Sequence, residues 1–211
     1  MKDVLDEIAA ARLLPVIVID DPRSAVPLGA ALKRGGLRCM EITMRTPAAE
    51  ESVRALAGDP DLVVGAGTVL NAAQAARIID AGARFVVTPG FSLEVVRHCQ
   101  SRGVPVFPGI ATATELMAAL DAGIETVKFF PAGQLGGLPT LKALAAPFGM
   151  VKFIPTGGVS ASNLADYLAH PAVTAAGGSW MVAPSLIKAG DFEQIAKLTA
   201  EAVAIASGGQ E

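Results

Sequence analysis

Eight short apolar runs, rich in β-branched residues, recur along the chain: LLPVIVID, RCMEITM, LVVGAGTV, RFVVTPG, VPVFPGI, TVKFFPA, VKFIPTG and VTAAGG. They fall roughly 20–25 residues apart and lack the strict alternation of a half-exposed strand. Nearly continuous apolar runs mark strands buried on both faces, the pattern of a parallel sheet. The segments between them carry apolar residues at helical spacing, among them RSAVPLGAALKR, AAQAARIIDA, LEVVRHCQSR and DFEQIAKLTAEAVAIAS. Glycines close several of these, at Gly36, Gly82, Gly103 and Gly123. Asn71, Ser92, Thr112, Ser160 and Asp191 stand where helices would start, with side chains able to accept from first-turn amides. Eight consecutive strand–helix pairs predict an α/β fold of the closed (β/α)8 TIM-barrel type. Residues 2–11 read as an extra helix before the first strand, and the tail SGGQE as frayed. An open doubly wound sheet is the rival, but GAGTVL follows the third run and lacks the last glycine of its GxGxxG fingerprint.

Composition narrows the class. The 211 residues are 52% hydrophobic and 18% charged, which excludes disorder and suits a single domain over 1–211. A net charge of -3 argues against a nucleic-acid or anionic-membrane partner. No run of about 18 uncharged apolar residues is present, so no transmembrane helix is expected. Cys39 and Cys99 are isolated, which fits a reducing cytoplasm. The first residues carry Asp3, Asp6 and Glu7, unlike a signal peptide. His98 and His170 lie away from strand ends and no cluster has ligand spacing, so no metal is expected.

In a parallel barrel, ligands bind at the C-terminal ends of the strands. Polar residues inside or just past the apolar runs are therefore the candidates. Glu41 lies within a strand, where a lone carboxylate is costly to bury. With a strand period of two, Glu41, Thr43 and Arg45 share one side. They form either a structural ion pair or a carboxylate of tuned pKa beside an anion-binding guanidinium. Lys128, flanked by Val127, Phe129 and Phe130, reads as a desolvated amine able to form a Schiff base, or as a lysine that only buries its stem. Lys152 sits in a near-identical VKFIP context. The two bulky aromatics after Lys128 favour it only slightly, and local sequence leaves the two lysines open.

Two glycine clusters, Pro155-Thr156-Gly157-Gly158 and Gly177-Gly178-Ser179, follow the seventh and eighth runs, where such barrels commonly bind phosphate through backbone amides. Two tight turns without a ligand are the alternative, but two such clusters would seldom coincide at these two positions. Thr68, Pro89 and Pro108 lie just past strands three, four and five. Each alone is more often a turn residue than a ligand contact.

The motifs Glu41-Ile-Thr-Met-Arg45, Gly65-Ala-Gly-Thr68, Thr88-Pro-Gly90, Val106-Phe-Pro-Gly109-Ile, Lys128-Phe-Phe-Pro-Ala132, Pro155-Thr-Gly-Gly158 and Gly177-Gly-Ser-Trp180 occur in that order. Together they strongly resemble the 2-keto-3-deoxy-6-phosphogluconate (KDPG) / 4-hydroxy-2-oxoglutarate aldolase family over nearly the whole chain. The resemblance implies a class I aldolase on a (β/α)8 barrel, assembled as a homotrimer and using no cofactor. It implies that Lys128 is the Schiff-base lysine, Glu41 the general acid/base and Arg45 the holder of the substrate carboxylate. It implies contacts to the pyruvate portion from Thr68 and Thr156, a place for Pro89 in the substrate site, and phosphate contacts from Gly157, Gly158, Gly178 and Ser179. Lys152 becomes structural. Asp20 and Asp21 depart from the family, which often has a basic or neutral residue there, and they predict a weaker hold on phosphate. A phosphosugar epimerase or isomerase, and a barrel kept as an assembly scaffold, are the competing readings; the three strand-borne charges Glu41, Arg45 and Lys128 weigh against the scaffold.

Overall fold

The computed structural model describes residues 4–208. Along the chain run α1 (Val4–Ala11), β1 (Leu13–Ile17), α2 (Ala25–Arg34), β2 (Cys39–Thr43), α3 (Ala49–Leu56), β3 (Val63–Gly67), α4 (Ala72–Asp80), β4 (Val86–Val87), α5 (Leu93–Ser101), β5 (Val106–Phe107) and β6 (Gly109–Ile110). They are followed by α6 (Ala113–Asp121), β7 (Thr126–Phe129), α7 (Gly137–Ala145), β8 (Lys152–Pro155), α8 (Leu164–Leu168), β9 (Ala176–Gly178), α9 (Pro184–Ala189) and α10 (Phe192–Ala206). Of the expected 2–11 helix, Val4–Ala11 is formed; residues 2 and 3 lie outside the described residues, as do 209–211 of the tail.

The strands do not form the single closed eight-stranded barrel that the sequence pattern predicts. They form a six-stranded parallel sheet in the order β5-β4-β3-β2-β1-β9 and a separate three-stranded parallel sheet, β6-β7-β8. Two local causes divide them. The fifth apolar run is cut at Pro108, which has no amide to donate to a ladder. Val106 and Phe107 pair with β4, whereas Gly109 and Ile110 pair with β7. On the other flank, β8 meets the β9 segment only through isolated bridges, Phe153 to Val173 and Thr156 to Gly177. All ladders and both bridges are parallel, so the C-terminal ends of the strands gather along one edge.

Both faces of the central strands are buried, as their unbroken apolar runs require. Every residue of β2, β3 and β7 is buried. The helices pack their apolar stripes on the sheets. Ile8, fully buried, anchors α1 beside β1 and β2; burying such a side chain contributes about 1.5–3 kcal/mol, so Ile8→Asp should detach this helix. Asn71, Ser92 and Asp191 accept from the third amide beyond them, and Thr112 forms a full capping box with Glu115. Ser160 does not cap: α8 starts later, and Ser160 instead donates its amide to Asn163 Oδ1. Gly36, Gly82, Gly103 and Gly123 all take the left-handed conformation that stops a helix. The short helix α9 carries no signal in the apolar pattern, because the proline at its start masks it.

Candidate active site

Lys128 is the third residue of β7 and Glu41 the third of β2, each at a position directed into the buried interior. The chain separates them by 87 positions, yet Lys128 Nζ donates to Glu41 Oε1 at 3.3 Å. Lys128 is 6% exposed and Glu41 1%. An ammonium or carboxylate at such depth is costly unless a partner answers it, and each answers the other. Phe130 places its ring 5.1 Å from the amine, adding a cation–π wall. Gly67, the last residue of β3, lies against the carboxylate. A Cβ built there would stand 2.5 Å from Glu41 Cδ and 2.6 Å from its Cγ. Only glycine leaves room for the carboxylate. The motif Gly65-Ala-Gly-Thr carried that signal, but nothing in the sequence said which side chain the glycine faces.

The structure separates the two lysines. β7 and β8 pair with Val127 opposite Phe153 and Lys128 opposite Ile154. Lys152 therefore sits two residues earlier in the register, at the N-terminal start of its strand, exposed and donating to Pro171 O at 3.0 Å. Near-identical local sequence thus lands at different depths of two neighbouring strands, inside β7 and at the start of β8.

Arg45 follows β2 in a turn, exposed, and has no ion-pair partner among the described residues. Of the two readings of Glu41 and Arg45, the structural ion pair between them is not made: the strand ends at Thr43, and Glu41 pairs with Lys128. Thr43 itself is taken up by structure, its hydroxyl donating to Ile17 O at 2.7 Å. Thr68 is half-buried at the end of β3 with φ +56, an uncommon conformation for a β-branched residue. Strain of this kind clusters at functional sites. Pro89 follows β4, and its carbonyl lies against Gly109. No hydrogen bond joins Arg45, Thr68 or Pro89 to Lys128 among the described residues; they share only the same edge of the sheets.

The glycine clusters do come together. Thr156, 6% exposed, bridges to Gly177 and packs so tightly on it that a Cβ at 177 would overlap the threonine. Gly157 and Gly158 are both left-handed, φ +88 and +81. A Cβ at Gly157 would lie 3.4 Å from the Phe130 ring, which ties this turn to the lysine. Among the described residues the amides of Gly157, Gly158 and Ser179 donate to no protein acceptor. Gly178 sits under Trp180, where a Cβ would meet the indole. Asp21 is committed elsewhere: it binds the Arg23 guanidinium and caps the short turn 22–24. The Arg23 side chain and amide hold its carboxyl below the ordinary range. Among the described residues no group of three His, Cys, Asp or Glu side chains is arranged to hold a metal. No described helix is long and apolar enough to cross a membrane.

The model of the family described as "KDPG and KHG aldolase" matches residues 4–198. A 2-dehydro-3-deoxy-phosphogluconate aldolase of Treponema pallidum is 48% identical over 97% of this chain and 98% of its own. The structure of a Zymomonas mobilis 2-keto-3-deoxy-6-phosphogluconate aldolase with 3-phosphoglycerate superposes with a TM-score of 0.90, at 40% identity and 97% coverage of both chains. A Legionella pneumophila KDPG aldolase, with pyruvate captured as a covalent carbinolamine, gives a TM-score of 0.90 at 40% identity, covering 93% of this chain and 96% of that one. A family match over residues 4–198, together with a relative 48% identical over 97% of the chain, shows that the chain belongs to the KDPG and KHG aldolase family.

Proposed function

We propose that the protein is a class I aldolase that reversibly cleaves KDPG to pyruvate and glyceraldehyde 3-phosphate, and 4-hydroxy-2-oxoglutarate to pyruvate and glyoxylate. The observation that carries this reading is the Lys128–Glu41 contact at 3.3 Å inside a chain of this family. The carbinolamine seen in the Legionella relative supports the same covalent chemistry here.

Once its proton has passed to Glu41, the Lys128 amine adds through its lone pair to C2 of the keto acid. Loss of water gives an iminium, whose positive nitrogen withdraws electrons from C3. Removal of the C4 hydroxyl proton breaks the C3–C4 bond and releases the aldehyde. The enamine left behind takes a proton at C3, and water then hydrolyses the iminium to pyruvate. Glu41, in contact with the amine, moves these protons. The iminium is the electron sink, so the scheme needs no cofactor. Arg45 grips the substrate carboxylate, Thr68, Pro89 and Thr156 bound the pyruvate end, and Gly157, Gly158, Gly178 and Ser179 receive the phosphate. The three amides without a protein acceptor support that last assignment. We assign a cytoplasmic homotrimer of single-domain chains, for which exposed Leu70, Leu93 and Met117 offer apolar surface.

Borohydride reduction in the presence of pyruvate tests the assignment. It should add a stable mass to Lys128 and none to Lys152, and Lys128→Ala should lose trapping and cleavage together. Label on Lys152, or no label at all, would overturn it.

A further inference from the structure

The reacting pair straddles the division of the fold. Glu41 belongs to β2 in the six-stranded sheet and Lys128 to β7 in the three-stranded one. Their 3.3 Å contact therefore depends on how the two sheets are held together, not on either sheet alone. One seam lies at Pro108, between β5 and β6. The other follows β8, where backbone bonds close the gap: the Phe153 amide donates to Ala172 O at 2.7 Å and the Thr174 amide to Phe153 O at 3.1 Å.

At Pro108 a side chain takes that part. The Thr88 amide donates to Phe107 O at 3.4 Å. In an evenly spaced parallel ladder the next rung would run from the Gly109 amide to the Thr88 carbonyl. The Gly109 amide instead donates to the Thr88 hydroxyl, Oγ1, at 3.3 Å. That hydroxyl donates to Gly90 O at 2.6 Å, so its proton is committed and its lone pairs are left to Gly109. Thr88 is 1% exposed and Gly109 is buried, so water does not stand in for either partner. Space is closed as well: a Cβ at Gly109 would stand 2.3 Å from Pro89 O.

The consequence reaches Lys128 through a single peptide unit. Pro108 O belongs to the same peptide whose N–H binds Thr88, and it accepts from the Lys128 amide at 2.9 Å. That unit is trans and planar, so its N–H and C=O point in opposite directions and move as one body. Thr88 Oγ1, the Pro108–Gly109 peptide and the Lys128 backbone thus form two hydrogen bonds about one rigid plate. We propose that Thr88 is a positioning residue whose hydroxyl fixes the three-stranded sheet against the six-stranded one and so sets Lys128 on Glu41. This rests on the reading of Lys128 and Glu41 as the reacting pair.

Thr88→Val keeps the shape of the side chain and removes both of its hydrogen bonds. In the whole enzyme, amide hydrogen exchange followed by NMR should show Gly109 exchanging at least about tenfold faster, as loss of one hydrogen bond allows. kcat for KDPG cleavage should fall at least about tenfold, toward the roughly 10²-fold that a misplacement of about 1 Å costs, with a smaller change in KM. Thr88→Ser keeps the hydroxyl and should restore most of kcat, even where loss of the buried methyl lowers Tm. Because Thr88 acts through the Lys128–Glu41 contact, Thr88→Val added to Glu41→Gln should cost little more than Glu41→Gln alone. A folded Thr88→Val enzyme with parental kcat, or losses that multiply in the double variant, would overturn the proposal. So would a change confined to KM, which would show that the hydroxyl serves only the Pro89 loop. Should Thr88→Val not fold, Thr88→Ser and Thr88→Ala decide: the serine enzyme should keep kcat and the alanine enzyme lose it, and equal kcat in both overturns the proposal. If Glu41→Gln alone keeps near-parental cleavage, the reading of the pair falls and takes the rate effect with it, while faster exchange of Gly109 in Thr88→Val still shows the hydroxyl holding the seam.

Discussion

Gly67→Ala should disable catalysis without touching either charged residue. The added methyl would stand 2.5 Å from Glu41 Cδ. Carbon atoms in good contact lie about 3.5–4.0 Å apart, so the carboxyl must retreat by roughly 1 Å or more. Gly67 is the last residue of β3, held in register with Thr43, and the strand has little freedom to yield. Glu41 is 1% exposed, so its carboxyl has no open space behind it. Moving it disturbs the 3.3 Å contact with Lys128 and takes the carboxyl out of its present position against the amine. A misplacement of about 1 Å typically costs about 10²-fold in rate. Overpacking a core adds about 1–3 kcal/mol of destabilisation, which for a chain of this size lowers Tm by roughly 2–12 °C. The assay has three readings: kcat for KDPG cleavage, exchange of the C3 protons of pyruvate with deuterium, and borohydride trapping on Lys128. Cleavage and exchange should both fall at least about 10²-fold, while trapping persists in part. Glu41→Gln should fall about 10²–10⁴-fold in the same two assays. Because both changes act on one carboxylate, the double variant should lose little beyond Glu41→Gln alone. A folded Gly67→Ala enzyme with near-parental exchange would refute the geometry, and a double variant whose losses multiply would refute the shared cause.

Other outcomes follow from the same structure. The keto-acid carboxylate should be required strictly and the phosphate loosely, because the phosphate end is remote from the bond broken; comparing the two keto acids should show a higher KM for 4-hydroxy-2-oxoglutarate more than a lower kcat. A strong preference for that unphosphorylated acid would sink the role given to the two glycine turns. Burial pushes the Cys39 thiol up to about 12 and the Cys99 thiol up to about 11, so almost no thiolate exists at pH 8. Neither should react with Ellman's reagent in the native protein, and both should react in denaturant; prompt labelling of either in the folded state would contradict their burial.

What could be read from the sequence was local. Asn71, Ser92, Thr112 and Asp191 announce their helices because each side chain satisfies an amide three residues away. Glu41 and Lys128 stood out because a charge inside an apolar run needs an explanation wherever it occurs. The division into two sheets was not legible. It depends on where ladder hydrogen bonds stop between segments far apart in sequence, and Pro108 inside VPVFPGI looked like a turn at the end of one strand, not a break between two. Ser160 misled because Asn163, three residues on, offered a second polar start. Gly67 was visible only as a letter of a motif; its service to Glu41 is a distance between two strands.

The twin lysines make the molecule its own reference. Lys128 and Lys152 have the same neighbours on both sides, and adjoining strands carry them with a two-residue offset. Any amine reagent added to the folded protein meets both at one concentration, one pH and one ionic strength. The ratio of the two labelling rates cancels those conditions and leaves the difference in surroundings: a carboxylate, an aromatic ring and 6% exposure at one site, open solvent and a backbone carbonyl at the other. Followed across variants such as Gly67→Ala, that ratio would report how the interior treats its amine, without a second protein as standard.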